Sequence, residues 1–332
     1  MNRSQTISLY LSPFLFPGVL KYDYFFSGEV EHILQENSID FMLQVSNNCL
    51  ITLDPLKSNQ TMNFWNLSNH SIEYSYKLKY CANIRQLSKF QILLSLSGNR
   101  LYLFDLLTHE IKELIDKQDC FDTFSDNLII CTLKAEITII NLDTGINDSF
   151  ECEEYEYITD IKILSINQIV TSHPNGQIRI WNLLTKKNFI LGEKRNYCWI
   201  ENMTLLSPIL LLSQFSWGWE IWNLDTSKMQ RTSGGKAVKL NDNQIVSILK
   251  ENIQIIDFTQ NIILQTFPNE ISSNISKWII LPDERIAFII NDKLILWNLG
   301  KIDLKIDKVK NASLLKDGRM VTSWDKNLYI RN

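Results

Sequence analysis

Short apolar segments separated by polar turns recur along the chain, and the clearest example lies near its middle. Residues 168–172 are mostly apolar, residues 173–176 are a polar turn that contains Asn175-Gly176, and residues 177–182 are mostly apolar again. Asn-Gly between two apolar segments is a strong β-hairpin signal, because both residues tolerate the positive φ of a tight turn. The pattern therefore predicts an antiparallel hairpin.

The second segment of this hairpin ends on a motif that recurs elsewhere: an apolar residue followed by Trp, Asn and Leu. Weaker copies keep only the apolar residues and the Asn or Asp. The closing residues are Asn66, Asp105, Asn141, Asn182, Asn223, Asp257, Asn298 and Asn332. A spacing of about 40 residues indicates an array of similar units, each of which buries its faces against its neighbours.

Two further strands are predicted in each unit. An apolar or small residue lies 20 to 24 positions before each closing Asn or Asp and marks a strand ahead of the hairpin; these residues are Met42, Ile84, Phe121, Ile161, Met203, Ala237, Trp278 and Ala312. A fourth strand follows the motif, as in residues 187–191 and the alternating residues 302–306. The sequence therefore predicts four antiparallel strands per unit.

Such a unit resembles the blade of the WD40-repeat family, and the resemblance covers residues 28–332. The segments 165–183 and 317–332 are closest to the two-strand core of that family. The chain departs from the family in having Trp-Asn where Trp-Asp is usual, and it lacks the Gly-His pair before the first strand. It is identified as a divergent member, which implies an all-β, β-propeller fold of four-stranded antiparallel blades.

The number of closing motifs predicts eight blades, with seven as the alternative if one weak unit is irregular. The weakest unit lies around residues 121–142. The last unit has only three strands, so we expect residues 28–34 to pair beside residues 327–331 and to close the ring. The predicted domains are an N-terminal extension, residues 1–27, and a propeller, residues 28–332. The extension has an apolar stretch that prolines interrupt, and we expect an extended segment packed on the propeller, with secretion or membrane contact as the less favoured alternative.

Composition narrows the choice of partners. Lys and Arg total 33 against 37 Asp and Glu, a net charge of −4, so no basic excess favours nucleic acid. No segment is predicted to insert stably in a membrane. The six cysteines include no Cys-x-x-Cys pair, which favours buried reduced thiols and a cytoplasmic location. The abundance of Ile, Asn and Lys indicates an AT-rich genome, which suits a protist or an intracellular bacterium that exports an effector into a host cytoplasm.

No catalytic or metal-binding pattern is present in the sequence. The histidines are His32, His70, His109 and His173, and their placing at strand starts and in a turn favours structural roles. There is no phosphate-binding loop or nucleophile elbow, and the glutamates at 151–156 lack the spacing of a calcium loop. We therefore predict no catalytic residues, no cofactor, no metal and no enzymatic activity.

The tryptophans divide into two groups. Trp65, Trp181, Trp222 and Trp297 recur at one repeat position and are predicted to pack in the core. Trp199, Trp217, Trp219 and Trp324 do not recur and are candidates for contact with a partner. The loops between the second and third strands and those between blades form the face that such propellers use for partners. On it we place one candidate surface, with Trp324 as a further candidate: Tyr155, Tyr157, Lys194, Arg195, Tyr197, Trp199, Phe215 and Trp217. The alternative is that Tyr157 and Trp199 begin inner strands and pack inward.

The resemblance implies a scaffold or adaptor that binds a protein or peptide on its loop face, as a monomer or as part of a larger complex. Two alternatives remain open from the sequence. One is an enzyme on a propeller frame, a hydrolase or lyase acting from the central channel. The other is a propeller that binds nucleic acid.

Overall fold

The computed structural model describes the chain as strands and turns. The described residues are 30–35, 41–53, 59–79, 81–96, 98–123, 127–145, 147–152, 157–191, 199–269, 275–281, 283–298, 300–316, 318–324 and 327–331. They group into two compact units. Unit 1 comprises Met1–Cys81 and Asn274–Asn332, and unit 2 comprises Ala82–Ser273. The predicted extension 1–27 lies outside the described residues, and its boundary stays a prediction.

Unit 1 contains three four-stranded antiparallel sheets, which we number as blades by chain order. Blade 1 consists of β2 (Phe41–Gln44), β3 (Cys49–Leu53), β4 (Asn59–Asn66) and β5 (Ser71–Lys79). Blade 7 consists of β26 (Ile275–Ile280), β27 (Ile286–Ile290), β28 (Lys293–Asn298) and β29 (Lys301–Asp307). Blade 8 consists of β30 (Asn311–Leu314), β31 (Met320–Trp324), β32 (Asn327–Arg331) and, from the other end of the chain, β1 (Val30–Gln35).

Unit 2 contains blades 2 to 6, with strand order following chain order in each. Blade 2 has β6 (Cys81–Gln86), whose first residue ends unit 1, β7 (Gln91–Leu96), β8 (Arg100–Asp105) and β9 (Ile111–Ile115). Blade 3 has β10 (Cys120–Thr123), β11 (Leu128–Leu133), β12 (Glu136–Asn141) and β13 (Asn147–Glu151). Blade 4 has β14 (Asp160–Ser165), β15 (Gln168–Ser172), β16 (Ile178–Asn182) and β17 (Lys187–Leu191). Blade 5 has β18 (Ile200–Ser207), β19 (Leu210–Phe215), β20 (Gly218–Asn223) and β21 (Lys228–Gly234), and blade 6 has β22 (Lys236–Lys239), β23 (Gln244–Ile248), β24 (Asn252–Asp257) and β25 (Ile262–Pro268).

The eight sheets confirm the predicted number of blades, and the weakest unit of the sequence is a regular four-stranded blade 3. The predicted pairing of the two chain ends is also confirmed. β1 runs antiparallel to β32, with Val30 opposite Arg331 and Gln35 opposite Asn327. The pairing covers the edge that β32 would otherwise expose, which is the physical reason for a strand from the N-terminal part of the chain in the last sheet.

The repeated tryptophans are buried in the core, as predicted. Trp65, Trp181, Trp222 and Trp297 are all buried. Trp181 of blade 4 packs with Ile130 and Ile137 of blade 3, so one aromatic side chain fills the space between two sheets. Its Nε1 donates to the Thr171 hydroxyl at 2.9 Å, and the same hydroxyl lies 3.0 Å from His173 Nε2. His173 is fully buried, and it therefore belongs to the polar bracing of the blade.

The closing Asn or Asp caps the turn between the third and fourth strands. Asn182 Oδ1 accepts the backbone N–H groups of Leu184 and Thr185 at 3.0 and 2.9 Å. In blade 2 an aspartate, Asp105, accepts the corresponding two N–H groups. Because a side-chain oxygen is the only acceptor required, Asn and Asp are interchangeable, and the replacement of Trp-Asp by Trp-Asn leaves this turn intact.

In blades 1 to 6, the residue four positions after the capping Asn or Asp adopts a left-handed conformation. His70 and His109 have φ of 57° and 59°, and Lys186 and Ser227 have similar values. The equivalent residue in blade 3 is Gly145, the residue type that adopts this conformation without a steric cost. The matching positions of His70 and His109 in the sequence therefore reflect a turn, in line with the structural role expected for them.

Candidate functional site

The connections between strands place two sets of loops at opposite ends of unit 2. One set contains the turns between second and third strands and the connections between consecutive blades, and we call it the loop face. The other set contains the first-to-second and third-to-fourth turns, and we call it the turn face. Hydrogen bonds tie neighbouring blades together on the loop face: the N–H of Ile158, between blades 3 and 4, donates to the carbonyl of Lys134 in blade 3 at 3.0 Å.

Two exposed tryptophans mark the loop face at blade 5. Trp217, in the turn between β19 and β20, is 45% exposed, and its ring stacks on Phe215 with centroids 4.9 Å apart. Trp199 is 62% exposed and immediately precedes Ile200, which pairs with Phe215 across β18 and β19. The strand register thus brings Trp199 beside the turn that carries Trp217.

The structure corrects the sequence interpretation of two aromatic residues. Phe215 is only 1% exposed and packs with Ile178 and Ile200 in the core between blades 4 and 5, so its side chain supports the surface from below. Trp219 is fully buried and donates its indole N–H to the Ser247 hydroxyl of blade 6 at 3.1 Å. Side chains alternate across a strand, and a tight turn interrupts that alternation, so sequence spacing alone did not separate these residues from Trp217.

Gln214 holds the turn that carries Trp217 and is a residue that the sequence analysis missed. Its side-chain amide lies within hydrogen-bonding distance of the carbonyls of Phe215 (3.0 Å), Gly218 (2.8 Å) and Gly235 (3.1 Å). Its side-chain oxygen accepts the N–H of Ala237 in blade 6 at 2.9 Å. Buried amide groups require such partners, and here they tie the turn to the next blade. No motif in the sequence signalled this role.

Close backbone packing further restricts the same turn. A Cβ atom on Gly218 would lie 2.2 Å from the Ser233 carbonyl oxygen, and one on Gly235 would lie 2.1 Å from that of Ile248. Gly235 also has a positive φ of 74°. Both positions therefore require glycine, and the backbone under Trp217 has little freedom to move.

Tyr157 lies on the loop face between blades 3 and 4. Its side chain is 56% exposed, while the next residue, Ile158, is buried. The N–H of Thr159 donates to the Ser172 carbonyl at 2.8 Å and fixes the segment against blade 4. The same alternation occurs at Trp199 and Ile200. The alternative that Tyr157 and Trp199 pack inward is therefore wrong, because their following neighbours occupy the core.

The remaining candidates fall elsewhere. Tyr155, Lys194, Arg195 and Tyr197 lie outside the described residues, so their part in the surface stays a prediction. Trp324 lies at the end of β31 in unit 1, half-buried, with the Lys310 ammonium 5.8 Å from its ring centroid. Of the predicted surface, the structure therefore places Trp199 and Trp217 at the same end of blade 5 and Tyr157 on the same face of unit 2.

The charged residues of the first strands serve to join blades. Asp122 of blade 3 pairs with Arg85 of blade 2 and accepts the N–H of Ile163 in blade 4 at 3.0 Å. Asp160 of blade 4 accepts from Lys162 Nζ at 2.9 Å and from the N–H of Met203 in blade 5 at 2.8 Å. These carboxylates accept backbone and ammonium hydrogen bonds that stabilise the stacking of blades 2 to 5.

Two buried cysteines of unit 2 have strongly shifted thiol pKa values. Burial raises the pKa of the Cys120 and Cys131 thiols to about 12, which keeps them protonated and unreactive near neutral pH. Among the residues that the structure describes, no group of three or more His, Cys, Asp and Glu side chains could hold a metal ion.

Solved structures with the same architecture establish the fold. The C-terminal WD40 domain of Sif2 superposes with a TM-score of 0.68 at 14% identity, over 92% of this chain and 99% of that one. The WD40 β-propeller domain of Doa1 gives a TM-score of 0.51 at 12% identity, over 77% of this chain and 94% of that one. The fold is a WD40-like β-propeller. BamB from Moraxella catarrhalis is also similar to the propeller, with a TM-score of 0.65 at 12% identity over 91% of this chain and 100% of that one.

Sequence comparison adds nothing to this assignment. No protein-family model matches the propeller, and no curated protein matches it in sequence. At 12–14% identity the structural similarity shows the fold alone. In the described part of the chain, no helix is long and apolar enough to cross a membrane.

Proposed function

We propose that this WD40-like propeller is a non-enzymatic scaffold or adaptor, and that it binds a protein or peptide on the loop face of unit 2. The contact surface contains Trp199, Trp217 and Tyr157. Tyr155, Lys194, Arg195 and Tyr197 belong to the same loops in the sequence and extend the proposed surface. In this proposal, the protein acts as a monomer or as one subunit of a larger complex.

The observation that carries the proposal is an exposed tryptophan on a rigid base. Trp217 rests on the buried ring of Phe215, and Gln214 and two obligatory glycines restrict the backbone beneath it. A large aromatic side chain that is already held in place loses little conformational entropy on binding, and Trp and Tyr are enriched among the residues that dominate interface energies. Packing of the blade does not require this exposed ring, because the repeated tryptophans already fill the core.

Quantitative affinity capture tests the proposal. The double variant Trp199→Ala/Trp217→Ala should lose captured partners that the unchanged protein retains, by at least about tenfold, the effect expected for a hot spot. The matched control is Leu184→Ala, which removes an exposed apolar side chain from the turn face. The free energy of unfolding of both variants should lie within about 0.5 kcal/mol of that of the unchanged protein, because the changed side chains lie at the surface.

Titration of the purified partner by calorimetry then separates direct from indirect effects. The loop-face proposal fails if the double variant binds the captured partner with unchanged affinity. It also fails if Leu184→Ala weakens capture as much as the double variant does.

A cytoplasmic location accompanies the proposal, in the producing cell or, for an exported effector, in a host cell. The described cysteines Cys49, Cys81, Cys120, Cys131 and Cys152 are free thiols, which suits a reducing compartment. Fractionation of cells that express the tagged protein tests this location.

A further inference from the structure

A groove opens on the turn face of unit 2, at the end opposite the loop face. It has a volume of about 670 Å³ and lies between blades 2 and 3. Its walls include Phe90, Leu107 and Asp105 from blade 2 and Asn127 and Asp143 from blade 3. The volume falls within the usual range of ligand-binding pockets, about 300–1,000 Å³.

The turns of the blade do not require the apolar side chains of this groove. The N–H of Leu106 donates to the Phe90 carbonyl at 2.8 Å, and the equivalent bond in blade 3 runs from Leu142 to Asn127. Because only the backbone carbonyl takes part, the side chain at this position is free to vary. The residues with the same role in other blades are Asn48, Asn167, Ile209 and Asn243.

Blade 2 nevertheless exposes two apolar residues side by side. Phe90 is 43% exposed, and Leu107, two positions after the capping Asp105, is 68% exposed. Among the described blades that share this backbone hydrogen bond, blade 2 is the one with apolar residues at both positions. The turn does not need these two exposed apolar side chains, and their exposure points to a binding surface.

Two carboxylates border the apolar pair. Asp105 Oδ1 accepts the N–H groups of Leu107 and Thr108, and these bonds hold the pKa of Asp105 below its usual range. Asp143 accepts a hydrogen bond from the Asn127 side chain. Lys89, the neighbour of Phe90 in the chain, places its ammonium 5.0 Å from the centroid of the Phe90 ring. The groove therefore combines two apolar side chains and two carboxylates in its walls.

We propose that this groove binds a segment of a partner protein in which an arginine or lysine adjoins an apolar residue. The apolar side chain packs on Phe90 and Leu107, and the cationic head lies between the carboxylates of Asp105 and Asp143. Charge complementarity selects the cation, and the apolar contact supplies buried area. This site is separate from the loop face and gives the propeller a second docking surface.

Peptide arrays test the proposal. Three series of immobilised hexapeptides carry Arg, Gln or Glu at the third position, with Leu, Ile, Phe, Met or Val at each neighbouring position. The labelled full-length protein should bind members of the Arg series above the Gln and Glu series at 150 mM salt. The best Arg peptide is then titrated in solution by fluorescence anisotropy.

Substitutions locate the binding on the protein. Asp105→Asn/Asp143→Asn should weaken binding of the best peptide by about fivefold, the upper end of the range for a solvent-exposed ion pair. The turn survives this change, because Asn182 performs the same capping role in blade 4. Leu107→Ser should weaken binding as well, whereas the matched controls Leu184→Ser and Asp225→Asn, at equivalent positions in blades 4 and 5, should change the affinity less than twofold.

Four outcomes overturn the proposal. The first is that the Arg series binds no better than the Glu series. The second is that the double aspartate variant binds the best peptide with unchanged affinity. The third is that Asp225→Asn weakens binding as much as that double variant does. The fourth is a change of oligomeric state in Leu107→Ser, measured by light scattering, which would assign the groove to a second copy of this chain.

Discussion

The buried contact between Trp181 and Thr171 yields the sharpest prediction of stability. Replacing Trp181 by Ala should lower the free energy of unfolding by about 3–5 kcal/mol, the usual cost of truncating a large buried aromatic residue. The value is set by the complete burial of the ring between blades 3 and 4. The control is Trp217→Ala, because that exposed ring should contribute no more than about 0.5 kcal/mol.

The hydrogen bond between the two side chains can be measured separately. Trp181→Phe keeps an aromatic ring and removes the donor. Thr171→Val keeps the shape, but it takes the hydroxyl partner from both the buried indole N–H and His173 Nε2. We expect Thr171→Val to cost about 1–3 kcal/mol, because an unsatisfied buried donor loses its full hydration. The double variant should cost less than the sum of the single variants, with a coupling of about 1 kcal/mol.

Urea denaturation followed by far-ultraviolet circular dichroism measures the free energy of unfolding of the unchanged protein and of each variant. Additive effects of the two substitutions would show that the 2.9 Å contact contributes nothing to stability. A Trp181→Ala variant as stable as Trp217→Ala would refute the assignment of the repeated tryptophan to the core.

Three further predictions concern the ends, a turn and a buried thiol. Deleting residues 1–36 should lower the melting temperature more than deleting residues 1–26, because only the longer deletion removes β1; equal melting temperatures would contradict the role of that strand. Ser227 has a φ of 57°, so Ser227→Gly should raise the free energy of unfolding in urea by about 0.5–1 kcal/mol. The control Ser233→Gly, within β21, should lower it by a similar amount. A loss of stability in Ser227→Gly would show that strain is absent from this turn. Burial raises the pKa of the Cys131 thiol from 9.0 to about 12, so between these pH values only the unfolded state loses the proton. The free energy of unfolding should therefore fall as the pH rises above about 9, by up to about 1.4 kcal/mol per pH unit. Comparison with Cys131→Ala isolates this slope, and equal slopes in the two proteins would contradict the pKa shift.

The architecture was predictable because its causes are local. The repeated motif sets the end of the third strand of a blade, and Asn182 and its equivalents cap the following turn through their own side-chain oxygens. A hairpin needs only a turn such as Asn175-Gly176 and two apolar strands of matching length. The closing role of β1 also followed from the sequence, since a three-stranded last unit leaves an open edge.

The candidate surface was predictable only in part. Non-repeating aromatic residues in the loops of consecutive blades pointed to the loop face, and Tyr157, Trp199 and Trp217 are exposed there. Phe215 and Trp219 were indistinguishable from Trp217 by residue type and position in the chain. Which of them faces solvent depends on the conformation of a two-residue turn and on the neighbouring blade, and neither is encoded in the spacing of the repeat.

By itself, the sequence determined the number of blades, their strand order and the recurrent core position of tryptophan, because a periodic pattern specifies strands and the faces that they bury. The tertiary structure alone decided which aromatic residues reach the surface and what holds them there. Gln214 contacts three carbonyls in two segments, and Gly218 and Gly235 admit close backbone contacts at Ser233 and Ile248. These contacts depend on how the strands of blades 5 and 6 pair and pack, which the spacing of the repeat does not specify.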